Sequence, residues 1–290
     1  MKNLKNLLVA LGAGLLILTS ACDKKEDVAP VTLLTKMTSV NPDGTNDERN
    51  YEYNSQNKLA KLKFIFDTTV YENQITYGAD GKISHVLTLL NGVELYKYIY
   101  SWSANSVSSD NIQKNANNEW SEEGMSKSQY DLNSDGQITK FQYLYKQDTI
   151  WVGYYYMIYT WKNGNVEKSE LWYNDNLKNT DIKPFIDMNL LNANIFGLKG
   201  ANDTKSGTAT FEYDTKNNAY LSLGFPYGVN GLTKNNVTKE TNSFETENDQ
   251  IYTYNYDYND NNYPTKSTVS YTNQDEVTET QITLYEYTIK

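Results

Sequence analysis

The residues with the most recognisable chemical spacing lie in DLNSDGQITKFQ, from Asp131 to Gln142. Asp131, Asn133, Asp135, Gly136 and Ile138 take the first, third, fifth, sixth and eighth places of a calcium-binding loop, in which oxygens ring a hard cation and a glycine permits the sharp turn. The twelfth place is Gln142, where such a loop needs a bidentate carboxylate, and an amide oxygen lacks that charge. The flanks SKSQY and FQYLYKQ alternate as strands do, whereas a calcium loop of this kind joins two helices. Tyr51 to Phe64 repeats the outline with Ser55, Gln56 and Asn57 in the ligand places. A turn that forms without the acids does not require a metal, so the stretch is read as a hairpin turn, and neither metal nor cofactor is assigned.

Other chemistries are narrowed by single residues. His85 is the only histidine, which removes histidine-cluster metal sites, and its place in KISHVLTLL marks a packed or edge strand position rather than a general base. Glu122 with Glu123, and Glu245 with Glu247 and Asp249, meet the minimal need of glycoside hydrolysis, two acids roughly 5 to 10 Å apart. In an acidic chain such neighbours are ordinarily a solvated face, and no catalytic residue is assigned. No nucleophile elbow, phosphate-cradling loop or dinucleotide fingerprint lies in the mature chain. The net charge is -10 and Arg49 is the only arginine, so phosphate backbones are repelled and nucleic-acid binding is excluded.

Elements that position these residues begin after residue 21. Residues 1–21 open with Lys2 and Lys5, run apolar from Leu7 to Leu18 and end on small residues, as a secretory signal does. Leu18-Thr19-Ser20-Ala21-Cys22 resembles a bacterial lipobox, with Thr19 in place of the usual aliphatic residue. Cys22 is the only cysteine, so disulfides are excluded, and lipid attachment at Cys22 is the economical explanation for it. Residues 22–30 read as a flexible tether. Its Lys25-Glu26-Asp27 resembles the signal that displays Bacteroidetes lipoproteins on the outer face of the outer membrane, with the periplasmic face as the alternative.

Twenty-six tyrosines dominate residues 31–290, which read as one domain. YEYNSQNKLAKLKF from Tyr51 and YDLNSDGQITKFQY from Tyr130 share an aromatic start, an Asn-Ser pair, a polar turn, and an aliphatic residue followed by lysine. Units from Ile75, Tyr159, Phe211 and Tyr256 follow the same plan, and the one from Tyr100 is degenerate. Their third residues are Tyr53, Tyr77, Trp102, Leu132, Trp161, Tyr213 and Tyr258. The early steps of roughly 24 to 30 residues hold two strands each; the two longer intervals, 162–212 and 214–257, hold extra strands or an insertion. Tyr96, Tyr98, Tyr100 and Trp102 share one face by two-residue alternation, as do Tyr252, Tyr254, Tyr256 and Tyr258. Helical spacing occurs only at Phe185, Met188, Leu191 and Ile195, which predicts a short helical insertion near 181–198 that caps an end.

The expected architecture is all-β: an antiparallel up-and-down meander of about 14 strands, curled into a closed or nearly closed barrel to hide its edges. The lipobox, the Tyr-x-Tyr-Asn units and the late YNDNNYPTK stretch resemble an uncharacterised Bacteroidetes lipoprotein family with a porin-like fold, over roughly residues 31 to 290. That resemblance implies a porin-like barrel and supplies no activity. Polar groups on both faces of TKSTVSY, from Thr265, and lysines in KLAKLKF, from Lys58, fit a soluble barrel rather than a membrane pore. The expected role is a non-enzymatic binding or display module at the outer membrane. It is held to the membrane by its lipid, with polysaccharide as the ligand. A surface polysaccharide hydrolase using paired carboxylates and a purely structural shell are the alternatives. Oligomeric state is not legible.

Overall fold

The computed structural model describes residues 30–41, 43–114, 118–121, 124–147, 149–173, 204–244, 249–272 and 278–290. The strands are β1 (Thr32–Val40), β2 (Asn46–Tyr53), β3 (Leu59–Phe66), β4 (Thr69–Tyr77), β5 (Ile83–Leu90), β6 (Val93–Trp102), β7 (Ser106–Gln113) and β8 (Ser126–Leu132). They continue as β9 (Ile138–Gln147), β10 (Ile150–Lys162), β11 (Asn165–Tyr173), β12 (Thr204–Tyr213), β13 (Val237–Phe244), β14 (Gln250–Tyr258), β15 (Pro264–Thr272) and β16 (Thr278–Ile289). Each strand pairs with its neighbours in sequence, and β1 lies beside β16, so the sheet is a closed barrel with no free edge.

The expected meander of about 14 strands has 16 members, and the difference has a simple origin. The seven tyrosine-rich units supply the turns that join β2 to β3 and every second pair after it, ending with β14 to β15. Strands β1 and β16 lie outside the repeat, and they close the ring. The predicted helix at 181–198 lies outside the described residues, as do residues 1–21 and Cys22.

A local defect explains why the units carry aromatic donors. At six of the seven turns the ladder slips by one residue, at Tyr53, Tyr77, Leu132, Trp161, Tyr213 and Tyr258. Such a bulge leaves backbone groups without a ladder partner and increases the local twist. In all six cases the carbonyl at the start of the bulged strand accepts from an aromatic side chain on the next strand. Tyr77 donates to Leu59 O, Trp102 to Ile83 O, Trp161 to Ile138 O, Tyr213 to Val166 O, Tyr256 to Val237 O and Tyr287 to Pro264 O, at 2.7–2.8 Å. The seventh turn, Ser103 to Ser106, joins β6 and β7 with no register shift. There the residue opposite Trp102 is Val107, which continues unbroken into the β7–β8 ladder opposite Tyr130, and the residue that follows in the repeat is Leu132, which has no donor.

The turns themselves rest on asparagine and on left-handed backbone. Asn54 Oδ1 accepts from the Gln56 and Lys58 amides, Asn133 Oδ1 from Asp135 and Gln137, and Asn259 Oδ1 from Asn261 and Tyr263. The left-handed position is Asn57, Gly136 or Asn262, with φ of 59°, 75° and 60°; glycine and asparagine are the residues that adopt it at least cost. Large inward side chains on β1 to β5, including Leu34, Leu62 and Phe64, form one buried cluster, and Val107, Phe141, Tyr155 and Val166 on β7 to β11 anchor a second.

Candidate functional site: a tyrosine-lined lumen

Between β12 and β13 the chain leaves the wall and enters the barrel. The unit at Phe211 begins like the others, but its turn is expanded into residues 214–236, which form two short 3-10 segments, Ala219–Leu223 and Phe225–Gly231. It is an insertion, one of the two contents expected for the interval 214–257, and it occupies the first part of that interval. Asn218 holds the insert together: its Nδ2 donates to Asn230 O and Thr233 O at 2.8 and 2.7 Å, and its Oδ1 accepts from Tyr220 N. The base of the insert is tied to the turn end of the barrel by Lys234 N to Gly164 O and by Lys216 Nζ to Asn262 Oδ1.

Inside, the insert fills the lumen from wall to wall. Ser222 Oγ accepts from Leu34 N on β1 and bonds the Tyr53 hydroxyl on β2. Phe225 packs on Trp102 of β6 and Tyr130 of β8, with ring centroids 5.0 and 5.3 Å away, and so touches both clusters. Ala219, Leu223 and Tyr227 are buried. The segment is a plug, and it closes the turn end.

Beyond the plug lies a cavity of about 740 Å³, lined from β10–β16, β1, β2 and the plug and reaching Asn41 and Asp43 in the β1–β2 turn at the other end. Its volume comes from small inward residues, among them Ser39, Ser169, Gly207, Ala209, Ser267 and Thr283, where β3 and β9 carry Phe64 and Phe141. Aromatic hydroxyls and amides furnish the rest of the wall, including Tyr220, Tyr254, Tyr256, Tyr285, Asn230 and Asn242. Burial holds the Tyr220, Tyr254, Tyr256 and Tyr285 hydroxyls well above the usual phenol range, so they are neutral hydrogen-bonding groups.

The charged residues described in the lining are Arg49, Asp43, Asp47, Glu240 and Glu279. Arg49 on β2 lines the cavity with its guanidinium 5.5 Å from the centre of the Phe64 ring, and Nη1 donates to the Tyr227 hydroxyl at 3.2 Å. Its Nε is enclosed with no acceptor, and among the described residues no carboxylate pairs with it. Burial works against the charge, but the Tyr227, Tyr51 and Tyr220 oxygens around it hold the group protonated. Glu240 on β13 is raised above the usual carboxyl range by burial, against hydrogen bonds from Asn242 and Tyr254. Glu279 accepts from the Tyr271 hydroxyl at 2.6 Å. The ladder places Glu240, Tyr252, Tyr271 and Glu279 in one lateral row, so three strand spacings, roughly 14 Å of sheet, separate the two acids at the backbone.

Of the residues singled out from sequence, Tyr252, Tyr254 and Tyr256 line the lumen, and the candidates for metal or acid chemistry fall elsewhere or lie outside the described residues. In the Asp131–Gln142 stretch the Asn133 side-chain oxygen is occupied by two turn amides, and Asp131 and Gln142 lie on the two strands of the hairpin. This is the turn expected. His85 sits on β5, partly exposed and bonded to Ser84 Oγ through Nδ1, with its pKa lowered by burial and by Lys97. Glu122, Glu123, Glu245 and Glu247 lie outside the described residues, and Asp249 is exposed. Trp102 and Trp161 are both in strands. The plug and Arg49 were not found from sequence. The only signal for Arg49 is its uniqueness, and for the plug the length of its interval.

The barrel exterior is charged. Cross-strand pairs run around it, among them Lys36 with Glu48 at 2.6 Å, Lys63 with Glu72 at 3.2 Å, Lys127 with Asp110 at 3.1 Å and Lys205 with Glu170 at 2.6 Å. No helix among the described residues is long and apolar enough to cross a membrane.

A closed, internally plugged, tyrosine-lined antiparallel barrel is a porin-like fold. It is similar to a porin-like protein from Bacteroides vulgatus, with a TM-score of 0.50 at 13% identity over 88% of this chain and 99% of that one. A porin-like protein from Bacteroides uniformis is also similar, with a TM-score of 0.43 at 10% identity over 88% of this chain and 98% of that one. No family model matches the chain, and no curated protein does.

Proposed function

We propose that this chain is a non-enzymatic binding lipoprotein of the cell envelope, with the barrel lumen as its ligand site and saccharide as the ligand class. The observation that carries the reading is the cavity of about 740 Å³ closed at one end by the plug. A lumen filled at one end holds a solute rather than passing it. The cavity also lies within the range of roughly 300 to 1,000 Å³ in which small-molecule sites fall. Tyrosine rings offer apolar faces to sugar C–H groups, while hydroxyls and amides meet the sugar hydroxyls.

The charged exterior supports a barrel that stands in water. Hydrocarbon would have to strip water from each outward Lys and Glu, at a cost of about 2 to 4 kcal/mol per lysine near the midplane. Membrane attachment then falls to acyl chains on Cys22, which contribute about 0.8 kcal/mol per buried methylene. The outer membrane, with the barrel on the cell surface, is the proposed address.

The test is a glycan array probed with the mature chain, followed by titration of retained sugars. Retention and saturable binding are expected; a chain that retains no sugar sinks the reading. For the address, Cys22→Ala is expected to move the protein from the membrane to the soluble fraction, and continued sedimentation with membranes would refute the anchor.

A further inference from the structure

Resting on the saccharide reading above, we infer that the cavity is an acidic-sugar site in which Arg49 receives the carboxylate of a uronic acid unit. The inference starts from chemistry the fold leaves unmet. Among the described residues the lumen encloses one cation, Arg49, with Nε lacking an acceptor and with one neutral hydrogen bond, to Tyr227. A buried guanidinium normally has an anionic partner, because its desolvation is otherwise uncompensated. Phe64 beneath the planar group and the Tyr227 hydroxyl beside it fix its orientation without neutralising it. A planar fork held in this way matches the two oxygens of a carboxylate.

The rest of the lining restricts which anion fits. Asp43, Asp47, Glu240 and Glu279 also line the cavity. A phosphate dianion or a polysulfated chain would meet this acidic wall with charge that a single arginine cannot offset. One carboxylate on an otherwise neutral, hydroxyl-rich molecule is the combination that the wall accepts. Hydroxyls of Ser39, Ser267, Thr283 and Tyr285 line the same cavity, on β1, β15 and β16, next to β2 in the ring. They can exchange hydrogen bonds with the ring hydroxyls of the same sugar. Arg49 is thus a specificity-determining residue: it selects acidic over neutral saccharides.

The test titrates the mature chain with a set of uronate-terminated oligosaccharides and with neutral oligosaccharides of identical linkage. The acidic members are expected to bind at least about tenfold more tightly, the scale of a charge-assisted bidentate pair. Arg49→Met is expected to remove that preference, and Arg49→Lys, which keeps the charge but not the fork, to retain part of it. Because the chain has a single arginine, isotopically labelled arginine reports one guanidinium signal in the unaltered protein. That signal is expected to shift on saturation with the acidic sugars and to stay in place with the neutral ones. Equal affinity for both sets, an unchanged preference in a folded Arg49→Met chain, or a stationary arginine signal at saturation overturns the inference and leaves saccharide binding standing. If no member of either set binds, the inference falls together with the reading it rests on.

Discussion

The Tyr77 hydroxyl donates across 2.8 Å to the carbonyl of Leu59, the residue paired with Tyr53 at the bulge between Glu52 and Tyr53 that interrupts the β2–β3 ladder. The same relationship recurs at five further bulges, each with a tyrosine or tryptophan as donor. Removing one donor strands a partly buried carbonyl, and such losses cost about 1 kcal/mol. Tyr77→Phe is therefore expected to lower the unfolding free energy by about that amount in urea titrations. Leu132→Tyr is expected to yield no gain, because Val107, opposite Trp102, already continues into the β7–β8 ladder opposite Tyr130; a stabilised Leu132→Tyr chain would contradict the rule.

The turn at Asn133 yields a second expectation. Its side-chain oxygen accepts from Asp135 N and Gln137 N, as Asn54 does for Gln56 and Lys58 in a turn with no acids. Asn133→Ala should cost about 1 kcal/mol, as other lost side-chain-to-backbone bonds do. Asp135→Asn should leave stability unchanged, and adding calcium should leave the melting temperature in place. A melting temperature that climbs with calcium, and does so less in Asp135→Asn, would restore the metal reading.

Phe225 is a plug residue that packs against both halves of the core. Truncation of a packed phenylalanine costs about 3 to 5 kcal/mol when the site cannot collapse. Phe225→Ala should destabilise the barrel on that scale, and it should also accelerate hydrogen exchange at the amides of Tyr220 and Tyr227, which the plug protects through Asn218 and Gly224. Unchanged exchange there would show that the plug holds without Phe225.

Glu240 predicts a pH dependence. Its folded pKa is raised by burial, so the folded state holds the proton more tightly than the unfolded chain. The stabilisation is complete below the unfolded value of 4.5 and is lost as pH rises through the higher folded value. Glu240→Gln abolishes the titration and keeps an acceptor oxygen for Asn242, while its amide nitrogen can donate to the Tyr254 oxygen in place of the bond that hydroxyl donates now. The variant should exceed the parent in melting temperature at neutral pH, with the gap closing toward pH 4. A gap that widens on acidification would reverse the assigned sign.

Much of the wall was legible in the chain itself. Two-residue alternation placed Tyr96 to Trp102 and Tyr252 to Tyr258 on single faces, and the structure has them on β6 and β14. The recurring Asn and Gly placed the turns, because few residues adopt left-handed backbone there. The count fell short by β1 and β16, whose pairing joins residues near opposite ends of the chain and leaves no mark in a local repeat. The length of the interval 214–257 pointed to extra strands or an insertion, but the insert's inward course escaped because KNNAYLSLGFPYGVNG has the same polar and aromatic composition as the turns beside it.

What the sequence determined by itself is therefore periodic and local: strands, turns and aromatic anchors, with a net charge of -10. It even carried the exception, Leu132, without the reason for it. Only tertiary structure decided that the ring closes and that residues 214–236 turn inward. It also brought Arg49 of β2 against Tyr227 of the plug, although the two stand 178 residues apart. Strand identity depends on neighbours within a few residues. A lumen is defined by which side chains meet across it, and those meetings depend on closure and on the volumes left between distant strands.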